Sequence, residues 1–474
     1  MRDVFRFWGY HPTTYPRVVG PDRPLLDASL ERPTPVFGRV ELDAHLIDRC
    51  GPLAAECAQG WQTWLAVDRE GVWPRDGDAV GWFTDESGRK RTIAARLGAD
   101  QYVLHFDVDA TIEFLQNERY FAHVAPLYVR LGINPERLPG WARKLGFDAL
   151  SRIRGLRRRR RVEFPARPHD PSVDAWRFLI RSFAEELADS DPIPLWPEGK
   201  RYAITLSHDV DTDYAFRARE AMTALRRIEE DAGLRSAWMI VTRYAALGRA
   251  ALSDLVQSGH EIGCHSTRHD HRLAFLPTAR MMDRIIEAAA RLSPYGAIGF
   301  RSPNYLRTAT LYETLSGRFD YDMSMHDMIG DASNLTAANE GCCTCLPFFV
   351  AGTDVLEIPT TVPEDWEFEL RGVCPLDALT AQVRTIERIK SVGGVANALT
   401  HPELNLSLRE SWLNNYRELV ELAAADDSAW LALPRDVNRH WRERQRTIDA
   451  LWRGPFAARS LRTAPVSPID ALPR

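Results

Sequence analysis

Between residues 202 and 399 short apolar runs alternate with longer stretches of helical period. The runs 202–206, 237–241, 297–300, 355–358 and 395–399 are each bounded by polar or turn residues and are of strand length. Between them, 220–230 and 281–292 repeat apolar residues at helical spacing. Strands that alternate with helices predict a parallel α/β sheet, closed as a barrel or left open. Residues 1–190 read differently. Residues 101–106 alternate like a strand, and the region ends in charged helical sequence, which predicts a smaller α+β unit.

A proline-punctuated stretch, 191–200, separates the two patterns, and beyond about 445 the chain turns to Arg, Pro, Ala and Ser. We therefore expect an N-terminal domain over 1–190, an α/β domain over 196–445 and a weakly ordered tail over 446–474. A chain of 474 residues exceeds what one core usually supports, in keeping with two domains.

Hydrophobic residues at 45% and charged residues at 26% are ordinary for a globular chain. Lys and Arg number 60 against 65 Asp and Glu, and this balance gives no electrostatic case for nucleic acid or an anionic membrane. Five consecutive arginines, Arg157 to Arg161, lack interleaved aromatics and read as a solvated stripe. No eighteen-residue apolar stretch occurs and no apolar segment follows the first residues, so a cytoplasmic location without a membrane span is expected. Most of the seven cysteines are read as free thiols, the exception to weigh being Cys342, Cys343 and Cys345, for which burial is expected ahead of a soft-metal role.

Four polar clusters stand at the ends of apolar runs. His265 and His269 lie four apart, and a helix there would put both imidazoles on one face, suited to one metal ion. Asp209 and Asp211 follow the run 202–206 and share one side of an extended chain, so one could bind a metal while the other takes a proton from water. Arg301 and His401 end later runs. At the C-terminal ends of parallel strands these groups would converge on one mouth.

In this order the segments His208-Asp209-Val210-Asp211, His265-Ser266-Thr267-Arg268-His269, Arg301-Ser302-Pro303-Asn304-Tyr305 and Leu399-Thr400-His401 resemble the polysaccharide deacetylase family, also called NodB-homology or carbohydrate esterase family 4, over about residues 196–440. The resemblance implies a distorted (β/α) barrel and a divalent metal, zinc before other first-row ions, held by Asp211, His265 and His269. It implies Asp209 as general base, Arg301 as its orienting cation and His401 as general acid. The chain is similar to the branch with Asp-x-Asp, and from the residues alone Asp209 and Asp211 could exchange roles. Tyr305 stands where the short form of the motif has glycine, at the floor of the groove. Asp365 and Trp366 are the first candidates for the motif that lines the pocket, and Asp322 is the second.

The implied activity is N-deacetylation of an acetamido sugar, in a glycan or in a nucleotide- or lipid-linked precursor. Two alternatives are carried: hydrolysis of a small non-sugar amide, imide or cyclic ureide at the same metal site, and a catalytically inactive glycan-binding protein. Trp61, Trp64, Trp73 and Trp82 are expected to pack rather than stack on sugars. Asp107-Val108-Asp109 repeats the acidic turn without a histidine partner and reads as a helix cap.

Overall fold

The computed structural model describes residues 2–12, 18–19, 36–47, 61–65, 78–85, 87–97, 101–119, 123–133, 172–188, 191–327, 341–404 and 406–453. The arginine run 157–161 and Trp73 lie outside the described residues.

The first six strands, β1 (Val18–Val19), β2 (Val36–Leu42), β3 (Trp61–Leu65), β4 (Asp78–Asp85), β5 (Lys90–Leu97) and β6 (Gln101–Leu104), form a sheet of order β1-β6-β5-β4-β2-β3. Only β1 and β6 run parallel. The helix Ser172–Leu187 packs against it, with Phe183 stacked on Tyr102 at 4.4 Å between ring centres. Asp107 caps the helix Val108–Gln116 by accepting from the Ala110 amide, and Asp109 accepts the Asp3 and Val4 amides at 3.0 and 3.3 Å. The acidic repeat is thus spent on two helix starts. Trp82 carries the Lys90 ammonium 5.0 Å from its ring centre.

The remaining strands are β7 (Tyr202–Val210), β8 (Ala237–Ile240), β9 (Glu261–Cys264), β10 (Gly299–Phe300), β11 (Tyr321–Asp322), β12 (Phe348–Phe349), β13 (Leu356–Glu357), β14 (Val395–Thr400) and β15 (Ala429–Leu431). Their order is β12-β13-β11-β10-β9-β8-β7-β14, with β15 beside the start of β7. All pairs are parallel except β12–β13. The sheet curls into a distorted (β/α) barrel. Its seam is drawn together by the Val362 amide on the Asn397 carbonyl, at 3.2 Å, and by the Thr361 hydroxyl, which donates to the Val395 carbonyl and accepts from the Asn397 amide. The interior is full: a Cβ added at Gly263 would stand 2.1 Å from Met239 Sδ, and one at Gly299 2.0 Å from the Tyr321 ring.

Strand β7 outruns its apolar segment by four residues, Ser207 to Val210, all of them buried. Alternation sends Ser207 and Asp209 to one side and His208 to the other. His208 meets a closed polar network: Nε2 lies 2.6 Å from Glu229, which also accepts the Tyr416 and Ser236 hydroxyls at 2.5 and 2.6 Å. Burial opposes the Glu229 charge, but His208 and the two hydroxyls hold its carboxyl below the usual range of about 4.5. A depressed folded-state pKa gives stability that is complete above about pH 4.5 and is lost as pH falls through it. Glu229→Gln is expected to cost about 3 kcal/mol at pH 7, a gap that closes as denaturation curves are taken below pH 4.5.

Two expectations are corrected here. The final helix, Pro434–Arg453, continues past 446 because Ile448 and Trp452 extend its buried stripe; 454–474 lie outside the described residues. The strand at 101 stops at Leu104, and the chain turns at His105 and Phe106 into the Asp107 cap. Cys342, Cys343 and Cys345 are buried, and burial pushes the Cys342 and Cys345 thiols well above their ordinary range. Cys342 and Cys345 therefore pack as protonated thiols.

Candidate active site

The four clusters meet where β7, β9, β10 and β14 end. Asp209 is in β7 and Asp211 just beyond it, His265 follows β9, Arg301 follows β10 and His401 follows β14. The two histidines do not sit on a helix. After His265 the backbone turns left-handed at Ser266, φ +67°, which no α-helix accepts, and the loop is tied to the next turn by the Thr242 and Arg243 amides on the Ser266 and Thr267 carbonyls. The imidazoles nevertheless converge, 5.2 Å between ring centres.

Their Nε2 atoms lie 3.2 Å (His265) and 3.3 Å (His269) from the same oxygen, Asp211 Oδ1. That oxygen is buried and has no hydrogen-bond partner. His265 donates from Nδ1 to the Arg301 carbonyl at 2.8 Å, which leaves the Nε2 lone pair facing Asp211. Two imidazole nitrogens and one carboxylate oxygen therefore converge on one point. Ligands about 2.0–2.1 Å from a tetrahedral zinc stand about 3.3 Å apart, so the spacing suits a cation. Among the described residues, the ligand atoms of Asp211, His265 and His269 lie within 4.8 Å of one another.

Asp209 has a different surrounding. Arg301, fully buried, donates to it from Nη1 at 2.8 Å, to the Ser207 hydroxyl from Nη2 at 3.0 Å and to the Met323 carbonyl from Nε at 3.2 Å. Burial opposes the Asp209 charge, yet Arg301, then His265 and His401, hold its carboxyl below the ordinary range. Asp209 Oδ2 stands 3.7 Å from His265 Nε2.

On the far side, both oxygens of Asp365 are committed to His401 and its loop. Oδ1 accepts from His401 Nδ1 at 2.7 Å and from the Trp366 amide at 2.8 Å; Oδ2 accepts from the His401 amide at 2.9 Å and from the Ser407 hydroxyl. Burial opposes a charge on His401, but Asp365 raises its pKa well above the ordinary value. Nε2 is left facing the cleft, 4.0 Å from Asp211 Oδ2. Asp365 is thus a partner of the histidine rather than a pocket-lining group, since it has no oxygen to spare. Trp366 is half-buried. Asp322 lies elsewhere, bound to Ser324 and Tyr312 and adjacent to Glu357.

Tyr305 adopts φ +54° and donates from its hydroxyl to Glu364 Oε2 at 3.0 Å. Burial pushes the Glu364 carboxyl up to about 7. Glu364 and Ser207 join the site from outside the motif positions. Ser207 was findable, since it shares a strand face with Asp209 two residues on; nothing local marks Glu364. His271, the third histidine of the segment, turns away at φ +58° and pairs its Nδ1 with the Tyr128 hydroxyl at 2.9 Å. The open side of the cleft passes over Asp211 and His269, whose side chains keep 21% and 20% of their exposure.

No family model matches the chain, and no curated protein matches it. Solved structures that resemble part of it include one from Mycobacterium smegmatis described as a polysaccharide deacetylase, 19% identical over 54% of this chain and 95% of that one, TM-score 0.44. Another is the PuuE allantoinase, 16% identical over 60% and 98%, TM-score 0.43. A third is a family 4 carbohydrate esterase from Streptomyces lividans in complex with acetate, 14% identical over 48% and 91%, TM-score 0.31. No helix among the described residues is long and apolar enough to cross a membrane.

Proposed function

We propose that the chain is a metal-dependent amide hydrolase whose substrate is an acetamido sugar, in a glycan or a sugar precursor, from which it removes the acetyl group. The observation that carries the reading is the unpartnered Asp211 Oδ1 facing two histidine Nε2 atoms, with an arginine-bound carboxylate on one side and a carboxylate-bound histidine on the other. Asp211, His265 and His269 would hold a divalent cation, zinc first. Bound there, it would supply Lewis acidity toward water and the acyl oxygen.

The remaining work belongs to the protein. Asp209, kept ionised by Arg301, takes the proton of the attacking water. Its partner Arg301 is fixed by Ser207 and Met323, so the carboxylate cannot swing away. An amine leaves poorly as an anion, and His401 meets that need: Asp365 holds it charged and points Nε2 into the cleft to protonate the nitrogen. The division of roles between the aspartates follows their partners, since a carboxylate bound to arginine is a poor ligand and one that faces two imidazole nitrogens is a good one.

A second reading keeps the site and changes the substrate to a small amide or cyclic ureide. Glu364 favours it, because its carboxyl, raised to about 7 and held by the Tyr305 hydroxyl, would in its protonated form offer both donor and acceptor to a planar amide. Zinc-loaded protein assayed for acetate release from N-acetyl sugars, their oligomers and nucleotide-linked forms, beside ammonia or ring-opening assays on ureides, separates the two. Release from sugars alone upholds the first reading, and turnover of ureides alone replaces it with the second.

A further inference from the structure

We infer that Glu118, from the N-terminal region, is a positioning residue for the active site and acts through Arg307. Glu118 is buried, and its two oxygens take separate N–H groups of the Arg307 guanidinium: Nε donates to Oε2 at 2.8 Å and Nη2 to Oε1. His123 Nε2 lies 3.1 Å from Oε2. The third nitrogen of Arg307, Nη1, donates to two carbonyls of the barrel, Tyr305 at 2.8 Å and Ser324 at 3.1 Å.

Those carbonyls belong to the walls of the cleft. Ser324 accepts the Ser302 amide through its hydroxyl at 2.8 Å, which fixes the residue after Arg301. Tyr305 carries the hydroxyl bound to Glu364, next to Asp365 and His401. Glu118, Asn304 and Tyr305 all have φ near +54°, a conformation non-glycine residues hold only where their surroundings over-determine it. One bidentate pair supplies that constraint from both sides of the contact. Its strength is evident in the Glu118 carboxyl, which burial would raise but Arg307 and His123 hold at about 2. The same region touches the metal-side loop separately, through Tyr128 on His271 and the Gly132 carbonyl on Arg272. The N-terminal region is therefore part of the active-site scaffold.

The kinetic arm of the test rests on the hydrolase reading; the exchange arm does not. In the full zinc-loaded chain, Glu118→Gln keeps the side-chain volume and removes the paired charge, and Arg307→Lys keeps the charge and loses the fork. Each is expected to lower kcat per bound metal roughly ten- to a hundredfold with KM little changed, and the double variant to be no worse than either. Hydrogen exchange should rise in 302–308 and 323–325 but not in β7. Lys90→Gln, which cuts the exposed Lys90–Glu41 pair of the N-terminal sheet, should change neither. Unchanged kcat with unchanged local protection in Glu118→Gln overturns the inference, and so does exchange that rises equally through β7. If the unaltered chain cleaves no amide, the hydrolase reading fails by itself, and local deprotection in Glu118→Gln still supports the positioning role while its absence overturns it.

Discussion

Asp209→Asn is expected to bind metal at wild-type stoichiometry and to lose roughly a thousandfold in kcat. The substitution keeps shape and one acceptor oxygen toward Arg301, so the guanidinium stays in place. What disappears is basicity: an amide cannot take the proton of water, and general-base assistance is worth about 10²–10⁴ in rate. Asp211→Asn is its counterpart. It removes the negative charge from the oxygen shared by His265 and His269, and metal should be lost with activity. Metal content by elemental analysis beside single-turnover rates distinguishes the two. If Asp209→Asn loses the metal and Asp211→Asn keeps it, the base and ligand roles are exchanged.

His401→Gln should lower amide turnover by about 10²–10⁴ and should do so selectively. A protonated leaving group is essential for an amine and dispensable for a phenolate, so an activated aryl acetate should be cleaved at a rate much closer to wild type. The basic limb of the pH profile should vanish with the histidine. Asp365→Asn should fall between wild type and His401→Gln, because it removes the charge and tautomer control on Nδ1 but leaves the imidazole. Equal loss on amide and aryl ester would mean that His401 shapes the pocket and donates no proton.

The barrel strands were legible where they were apolar on both faces, as at 395–399 and the first half of β7. The second half of β7 was not, because polar side chains can lie inside a sheet when the fold supplies partners. Those partners are distant: Asp209 meets Arg301 92 residues away, and His208 meets Glu229. The histidine pair was found by spacing, although the loop that joins the two is bent at Ser266 and is no helix. Asp365 lay in view as a motif candidate, but its attachment to His401, 36 residues on, is a property of the closed seam between Val362 and Asn397. Glu118 carried no signal at all. Its partner is 189 residues away, and an acidic residue after a helix reads as solvated surface.

The most direct test of the central claim is a metal titration of the purified chain. Protein stripped with a chelator is titrated with zinc while binding and amide hydrolysis are followed together on the best substrate of the assay panel. No hydrolysis is expected in the stripped protein, with full recovery at one equivalent of divalent ion and no such binding step in His265→Ala. Turnover that persists undiminished in chelator, with no divalent ion found by elemental analysis, would contradict metal dependence.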